Sequence, residues 1–340
     1  MKNKKTVEYV WLDGSRGMPQ LRSKTRVLNS YEDTIDEWSF DGGSTNQASL
    51  DNSDTILKPV RAYRDPFRQH MESGLVLCEV MTADGQPHPS NSRSSLESIT
   101  KHEEVQDSHP WFGFEQEYTL LYKSSSQHFR GGVPGQAYCG VGRGNVKGRA
   151  LAEVHLEMCL YAGIGVHGIN AEVMYGQWEF QTEALDPLRA CDDLWMARYI
   201  LQRLTENEEN PYQITYNPKP SATENGAGCH TNFSTIDMRK DNGIVSIHDA
   251  IDKLSKHHAR HMSVYGEGNQ SRMTGDCETS DYNKFSSGES HRGCSVRIPN
   301  HVAKKGCGYL EDRRPAANCD PYEVASVILE TTCLENAYSN

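Results

Sequence analysis

No stretch of the 340 residues approaches the roughly 18 consecutive apolar residues that a membrane-spanning helix needs, so no membrane anchor is expected. Basic clusters are also missing. The 35 Lys and Arg residues face 46 Asp and Glu, for a net charge of −11. Without a Lys/Arg-rich block such a chain repels a phosphate backbone, so nucleic acid is not expected as a partner. Ten cysteines form no C-x-x-C pair and no regular spacing, which leaves reduced, mostly buried thiols as the reading. The G-x-x-x-x-G-K-[ST] loop is absent, so a nucleotide is not held by a P-loop. Met1 to Lys5 is basic, but Glu8 and Asp13 interrupt the residues after it; no signal-peptide core is expected, and the chain is read as cytoplasmic. Internal repeats and low-complexity segments are lacking too.

What is present is an ordinary globular share of apolar residues, 36% before glycine is counted. The length allows about two domains. The first ninety residues read as β-rich: Val7, Tyr9 and Trp11 alternate with Glu8, Val10 and Leu12, and Gly74–Met81 is a short apolar run. Trp38–Ala48 is a Gly/Ser/Thr/Asn loop after a short strand. Gln86–Arg93, with two prolines, is the expected linker between a domain over 1–88 and a larger one over 93–340. Beyond it, strands are expected at Trp111–Leu121, Gly176–Gln181, Tyr212–Tyr216, Cys229–Phe233, Ser295–Pro299 and Tyr309–Arg313. Leu194, Ala197, Leu201 and Leu204 share one helical face, as do Ile247, Ala250, Ile251, Leu254 and Val264. Asp186-Pro187 and Asp320-Pro321 each join a side-chain cap to a proline at the first helical position. The expectation is a small β domain followed by a larger α+β domain.

The chemistry shows in where carboxylates fall within strands. Residues i and i+2 of a strand point the same way, so Glu115 and Glu117 share a face about 7 Å apart, with Phe112, Phe114 and Tyr118 on the other. Two like charges in an apolar strand are unfavourable unless a cation lies between them or the strand is a solvent-facing edge. The pattern recurs. Glu179 shares its face with Gln177 and Gln181, and Glu172 lies seven residues upstream; His230, Asn232 and Ser234 share a face behind a glycine-rich approach; Glu311 shares one with Arg313, and Arg292 and Arg297 lie nearby. Oxygen-rich ligation with a single histidine suits Mg²⁺ or Mn²⁺ better than Zn²⁺. Arginines beside such ions suit a phosphoryl group. His257 and His261 have the i, i+4 spacing of a zinc pair, but H-E-x-x-H is absent, and Lys256 and Arg260 make a wet basic face the expectation. Cys229, beside His230 in a strand, is expected to face the core.

Read together, these segments resemble glutamine synthetase of the shorter, eukaryotic-like class II type. The resemblance rests on Leu21–Thr25, Phe40-Asp41-Gly42, Phe112–Tyr118, Ala171-Glu172 with Gly176–Gln181, Asn217–Pro220, Asn225–Ser234, Ser295–Pro299 and Tyr309–Pro315. It implies an N-terminal β-grasp domain and a catalytic domain with a funnel-like antiparallel sheet backed by helices. It implies ATP-dependent ligation of glutamate and ammonium through γ-glutamyl phosphate, with two or three Mg²⁺ or Mn²⁺ ions per site. Glu117, Glu172 and Glu179 then resemble the ligands of one ion, and Glu115, His230 and Glu311 those of the other. Asn225, Gly226, Arg272, Arg292 and Arg313 resemble the residues that hold glutamate and the phosphoryl group. Trp111, Glu115, Glu179, Asn232, Ser234, Arg292, Arg297 and Tyr309 resemble the nucleotide site. Asp41, with Ser44, Tyr138 and the flap residue Glu278, resembles the ammonium site, which is completed between subunits. That last feature implies a homo-oligomer, a decamer of two pentameric rings.

The chain departs from the family pattern at Gly43, where a serine is usual, at Ala137, and at Glu183-Ala184 in place of Gly-Pro. Two other functions stay open at this point. One is a related ligase that joins glutamate to a larger amine; the other is a non-catalytic structural or regulatory homologue.

Overall fold

The computed structural model describes residues 4–29, 34–49, 51–69, 72–129 and 135–334. The N-terminal sheet has five strands, β1 (Lys4–Leu12), β2 (Leu21–Asn29), β3 (Trp38–Asp41), β4 (Asp54–Arg64) and β5 (Ser73–Met81), ordered β2-β1-β5-β4-β3. Only β1 and β5 run parallel. Alternation places Val7, Tyr9 and Trp11 in a small core with Phe40, Leu57, Val76 and Val80. Val10, Leu75 and Leu77 point the other way, into the main core. Both faces of this sheet are therefore covered. The strand β4 is invisible to alternation because Pro59 interrupts it; the ladder shifts register between Pro59 and Arg61, a bulge that accommodates the missing N–H.

The second sheet comprises β6 (Trp111–Tyr122), β7 (Val166–Ala171), β8 (Gln177–Thr182), β9 (Tyr212–Thr215), β10 (Cys229–Ser234), β11 (Ser287–Glu289), β12 (Val296–Ile298) and β13 (Leu310–Asp312). Its order is β11-β12-β13-β10-β6-β8-β7, with β9 also on β6. Pairing is antiparallel, as expected, with one parallel pair at the β11–β12 edge. The helices are α1 (Ser92–Thr100), α2 (Glu103–Ser108), α3 (Arg149–Ala162), α4 (Pro187–Thr205), α5 (Ile236–Arg239), α6 (Ile244–Lys256), α7 (His258–Met262), α8 (Asn300–Lys305) and α9 (Pro321–Cys333). The class is α+β. Among the described residues no helix is long and apolar enough to cross a membrane.

Asp186 and Asp320 cap α4 and α9 as their sequence suggests: each carboxylate accepts a backbone N–H of the first turn, and proline follows. Helix α4 is buried all round from Ala190 to Leu201 rather than on one face. One side meets β6 and β8, and the other meets the N-terminal sheet through Arg61, Tyr63 and Glu8. Asp192, Asp193 and Tyr199 are thus contacts between the helix and the N-terminal sheet. Two expectations fail at α6 and α7. Val264 lies beyond both helices, because the helical run breaks at His257. His261 is fully buried, not on a wet face: Nδ1 lies 2.6 Å from the Tyr265 hydroxyl and Nε2 2.9 Å from that of Thr331, so both nitrogens are occupied.

Candidate active site

Register builds the site. Glu117 on β6 stands opposite Glu179 on β8, and Glu115 stands opposite His230 on β10. Asn232 is opposite Glu311 on β13, which is opposite Arg297 on β12. Directly opposed residues share a face, so neighbouring strands send these side chains into one space. The reverse face carries Phe112, Phe114, Tyr118, Phe180 and Cys229, all buried in the core. Glu172 enters from the turn after β7, and Asn225, Gly226, Arg272, Glu278, Arg292 and Arg313 enter from loops. With Glu115, Glu117, Glu179, His230 and Arg297 they line a cavity of about 550 Å³; Glu311, 2% exposed, lies behind its wall, and Asn232 faces an adjoining cavity. Tyr138 is on the rim of the first cavity.

One ligand atom each from Glu117, Glu172 and Glu179 lie within 4.8 Å of one another, and so do those of Glu115, Glu179 and His230. Glu179 thus belongs to both groups. Burial and the Glu172 charge push the Glu117 carboxyl up to about 8, and burial with three neighbouring glutamates raises Glu179 well above the ordinary range. Burial also raises Glu172. Burial and the arginine charges, Arg313 foremost, hold His230 well below its usual value, so its ring is neutral. These carboxylates find few donors: Gly228 N–H reaches Glu117 at 2.8 Å, Asn170 reaches Glu172 at 3.0 Å, and Gln181 reaches Glu179. Such a set suits a hard divalent cation that takes oxygen ligands and one imidazole.

Glu311 is arranged differently. Its two oxygens accept from Arg313 Nη1 at 2.6 Å and Arg297 Nη1 at 2.8 Å, while His230 Nδ1 stands 3.7 Å away. Arg272 is 3% exposed and donates to the carbonyls of Arg313 and Arg314, which aims its guanidinium along the cavity wall. Gly226 needs to be glycine, since a Cβ there would meet Pro218 O at 2.4 Å and Arg272 Cγ at 2.7 Å. Cys277 and Glu278, at φ 52° and 61°, are consecutive left-handed residues without glycine, at a cost of about 1 kcal/mol each.

A second cavity of about 400 Å³ adjoins the first and shares Glu115 and Gln181 with it. Trp111, Gly113, Ala184, Asn232, Ser234 and Tyr309 line it. Arg239, absent from the sequence reading, lies 3.9 Å over the Trp111 ring and donates to Ser234 Oγ at 2.8 Å. No spacing rule pairs an arginine in α5 with a tryptophan at the start of β6, so the contact had no sequence signal. Asn170, His167 and Thr182 carry no such signal either; Gln177 and Gln181 are visible as face partners of Glu179. Among the described residues, Asn232 Oδ1 and Arg297 Nε are buried without a hydrogen-bond partner, at the seam of the two cavities.

Asp41 and Ser44 line neither cavity. Asp41 ends β3, is exposed, and accepts from Ser44 Oγ at 2.6 Å and Gly43 N–H at 3.0 Å; the Ser44 bond first, then the amides, hold its carboxyl below the usual range.

A glutamine synthetase β-grasp domain family model matches residues 3–83, and the glutamine synthetase catalytic domain model matches residues 89–263. A glutamine synthetase of Suillus bovinus is 48% identical over 98% of this chain and 94% of its own length. That of Candida glabrata is 49% identical over 97% and 90%, and the mitochondrial glutamine synthetase 1 of Drosophila melanogaster is 47% identical over 98% and 85%. These relatives extend past residue 263 and through the arginine-bearing loops. The five-stranded sheet is a β-grasp domain, and the chain belongs to the glutamine synthetase family.

Proposed function

We propose that this chain ligates ammonia to the γ-carboxylate of glutamate, with cleavage of ATP to ADP and phosphate through γ-glutamyl phosphate. The observation that carries the reading is the packing of buried glutamates against arginines in one cavity that opens onto an aromatic-walled second. Glu117, Glu172 and Glu179 would hold one Mg²⁺ or Mn²⁺, and Glu115, His230 and Glu311 another, with Glu179 within reach of both. When bound, these ions offset the carboxylate charge and polarise phosphoryl oxygens. ATP enters the cavity of Trp111, Asn232, Ser234 and Tyr309, where the rings offer a flat apolar wall to a base. Arg297 and Arg292 face its phosphates. Arg272, Asn225 and Gly226 bind glutamate and turn its γ-carboxylate toward the terminal phosphorus. Arg313 then stabilises charge on the transferring group.

The acyl phosphate that results is labile to water. Glu278 closes over it, which keeps water out while ammonia enters. Asp41 binds ammonium and takes one proton, leaving NH₃ with a free lone pair. That nitrogen attacks the γ-carbonyl carbon, the C–O bond to phosphate breaks, and the surplus proton on nitrogen passes to the departing phosphate, which leaves the neutral amide. Asp41 and Ser44 line neither cavity of their own chain, which supports a site completed by a neighbouring subunit and hence a homo-oligomer, read here as a decamer of two pentameric rings. Ten free cysteines, two of them exposed, support residence in a reducing cytoplasm.

The test is phosphate release by the purified protein with ATP, Mg²⁺ and glutamate, with and without ammonium, and glutamine quantified alongside. Ammonium-dependent phosphate matched one for one by glutamine is the expected result. Turnover only with a larger amine would move the assignment to a related ligase, and silence with every amine from an intact oligomer would make the chain a non-catalytic homologue.

A further inference from the structure

The loop that carries Asp41 and Ser44 is held by polar contacts. Gly42 N–H donates to Ser53 O at 2.8 Å, and Gly14 N–H donates to Thr45 O at 2.9 Å. Gln47, only 5% exposed, is the hub. Its amide donates to Leu12 O at 3.1 Å and Ser90 Oγ at 2.9 Å, and its Oε1 accepts from Thr45 Oγ1 at 2.9 Å.

His88 closes this frame from the segment that joins the two sheets. Its Nε2 lies 2.7 Å from Gln47 O; its Nδ1 lies 3.1 Å from Ser90 N and 2.9 Å from Ser90 Oγ. A carbonyl can only accept, so Nε2 carries the ring proton and Nδ1 accepts the Ser90 amide. The backbone N–H of His88 donates to Val80 O at 3.0 Å, which ties the ring to the end of β5. A connected path of hydrogen bonds thus runs from β5 through His88 and Gln47 to Thr45, the neighbour of Ser44.

We infer that His88 is a positioning residue for the ammonium-side loop: through the Gln47 carbonyl it fixes where the Asp41 carboxylate stands. The inference rests on the reading of Asp41 as the ammonium-binding group. His88 lines neither cavity. Loosening the loop moves Asp41 and leaves the ATP and glutamate contacts in place, and small misplacements of a reacting group are costly.

The experiment measures KM for ammonium, ATP and glutamate on the assembled, metal-loaded enzyme, with assembly checked by light scattering. The variants are His88→Ala, His88→Gln, His88→Asn and, as reference, Asp41→Ala. His88→Ala is expected to raise the ammonium KM about fivefold, the scale of one hydrogen bond, with the ATP and glutamate values changed less than about twofold. His88→Gln keeps a donor at the reach of Nε2 and is expected to recover most of the loss; the shorter His88→Asn is not. Should His88→Ala fail to assemble, the Gln and Asn variants decide by their difference alone. An unchanged ammonium KM in His88→Ala, beside a raised one in Asp41→Ala, overturns the role of His88 and leaves Asp41 standing. So does an equal rise for all three substrates, or equal behaviour of Gln and Asn. If Asp41→Ala itself leaves the ammonium KM unchanged, the reading of Asp41 falls and takes the inference with it.

Discussion

Two regions of the molecule bury acidic side chains and treat them in opposite ways. Where α4 meets the N-terminal sheet, Asp192 is fully buried and accepts from Arg61, Arg93 and the Tyr322 hydroxyl. Behind β13, Asp312 accepts from Arg314 at 2.7 and 2.9 Å and from Tyr265 at 2.8 Å; burial would raise its carboxyl, but Arg314 overrides it and holds it low. In the cavity, Glu117, Glu172 and Glu179 face one another and burial pushes all three up, helped by the Glu172 charge at Glu117, by the charges of Glu115, Glu117 and Glu172 at Glu179, and by Glu278 at Glu172. Outside the site, a buried carboxylate given its own arginine is a structural joint; Glu311, held between Arg297 and Arg313 beside His230, is the one site carboxylate that shares this treatment. Buried carboxylates given each other are costly unless a cation offsets them, and such clusters mark candidate functional sites.

The comparison breaks most visibly if charge is removed on each side. Glu117→Gln keeps an oxygen for the Gly228 amide and deletes one of the crowded charges. Glutamine formation is expected to fall by about a thousandfold, or about 4 kcal/mol, while the metal-free protein unfolds at the same or a higher temperature. Kinetics and a thermal melt on one preparation check this; a lower melting temperature would mean that Glu117 is a structural acid after all. Asp312→Ala has the opposite signature, because it leaves the Arg314 guanidinium buried and unpaired. It is expected to cost about 3–5 kcal/mol of stability, read by denaturant unfolding.

Adding a divalent cation sharpens the same contrast without a mutation. At a hundredfold excess over its dissociation constant, Mg²⁺ added to chelator-treated protein is expected to stabilise it by about 2.7 kcal/mol. Calorimetry reads the shift, and in Glu117→Gln it should shrink. Equal shifts in both proteins would place the cation elsewhere.

The same contrast explains what could be read from the residues alone. Strand alternation reveals that Glu115 and Glu117 share a face, because period 2 is a local property of the chain. It also reveals that Cys229 turns inward while His230 does not. The opposition of Glu117 to Glu179 is a matter of register across some sixty residues, and nothing local encodes it. Strand β4 is hidden by its own proline bulge, and the all-round burial of α4 by the sheet that covers its polar side. His261 reads as wet because Lys256 and Arg260 are its neighbours in sequence, whereas Tyr265 and Thr331 are its neighbours in space. Arg239 over Trp111 joins two distant parts of the chain with no pattern to betray it.

A third treatment of a buried ionisable group lies behind the carboxylates, on the far side of β8. His155 on α3 is 1% exposed and packs edge-on to Phe180, with ring centroids 5.0 Å apart. Its Nε2 donates to Ala197 O at 2.9 Å. Burial pushes its pKa down to about 4 from an ordinary 6.5, so the ring folds neutral. Between those values the unfolded chain binds a proton that the folded one refuses, so stability rises with pH there. The contribution is whole above about 6.5 and is lost as pH falls toward 4. At pH 5 the loss is about 2 kcal/mol relative to pH 7.5. His155→Gln keeps a donor for the Ala197 carbonyl and cannot titrate. Its unfolding free energy should therefore fall less steeply than that of the parent between pH 7.5 and 5. Parallel slopes would show that His155 is protonated in the folded protein, and that burial behind the sheet is not what separates its behaviour from the glutamates in front.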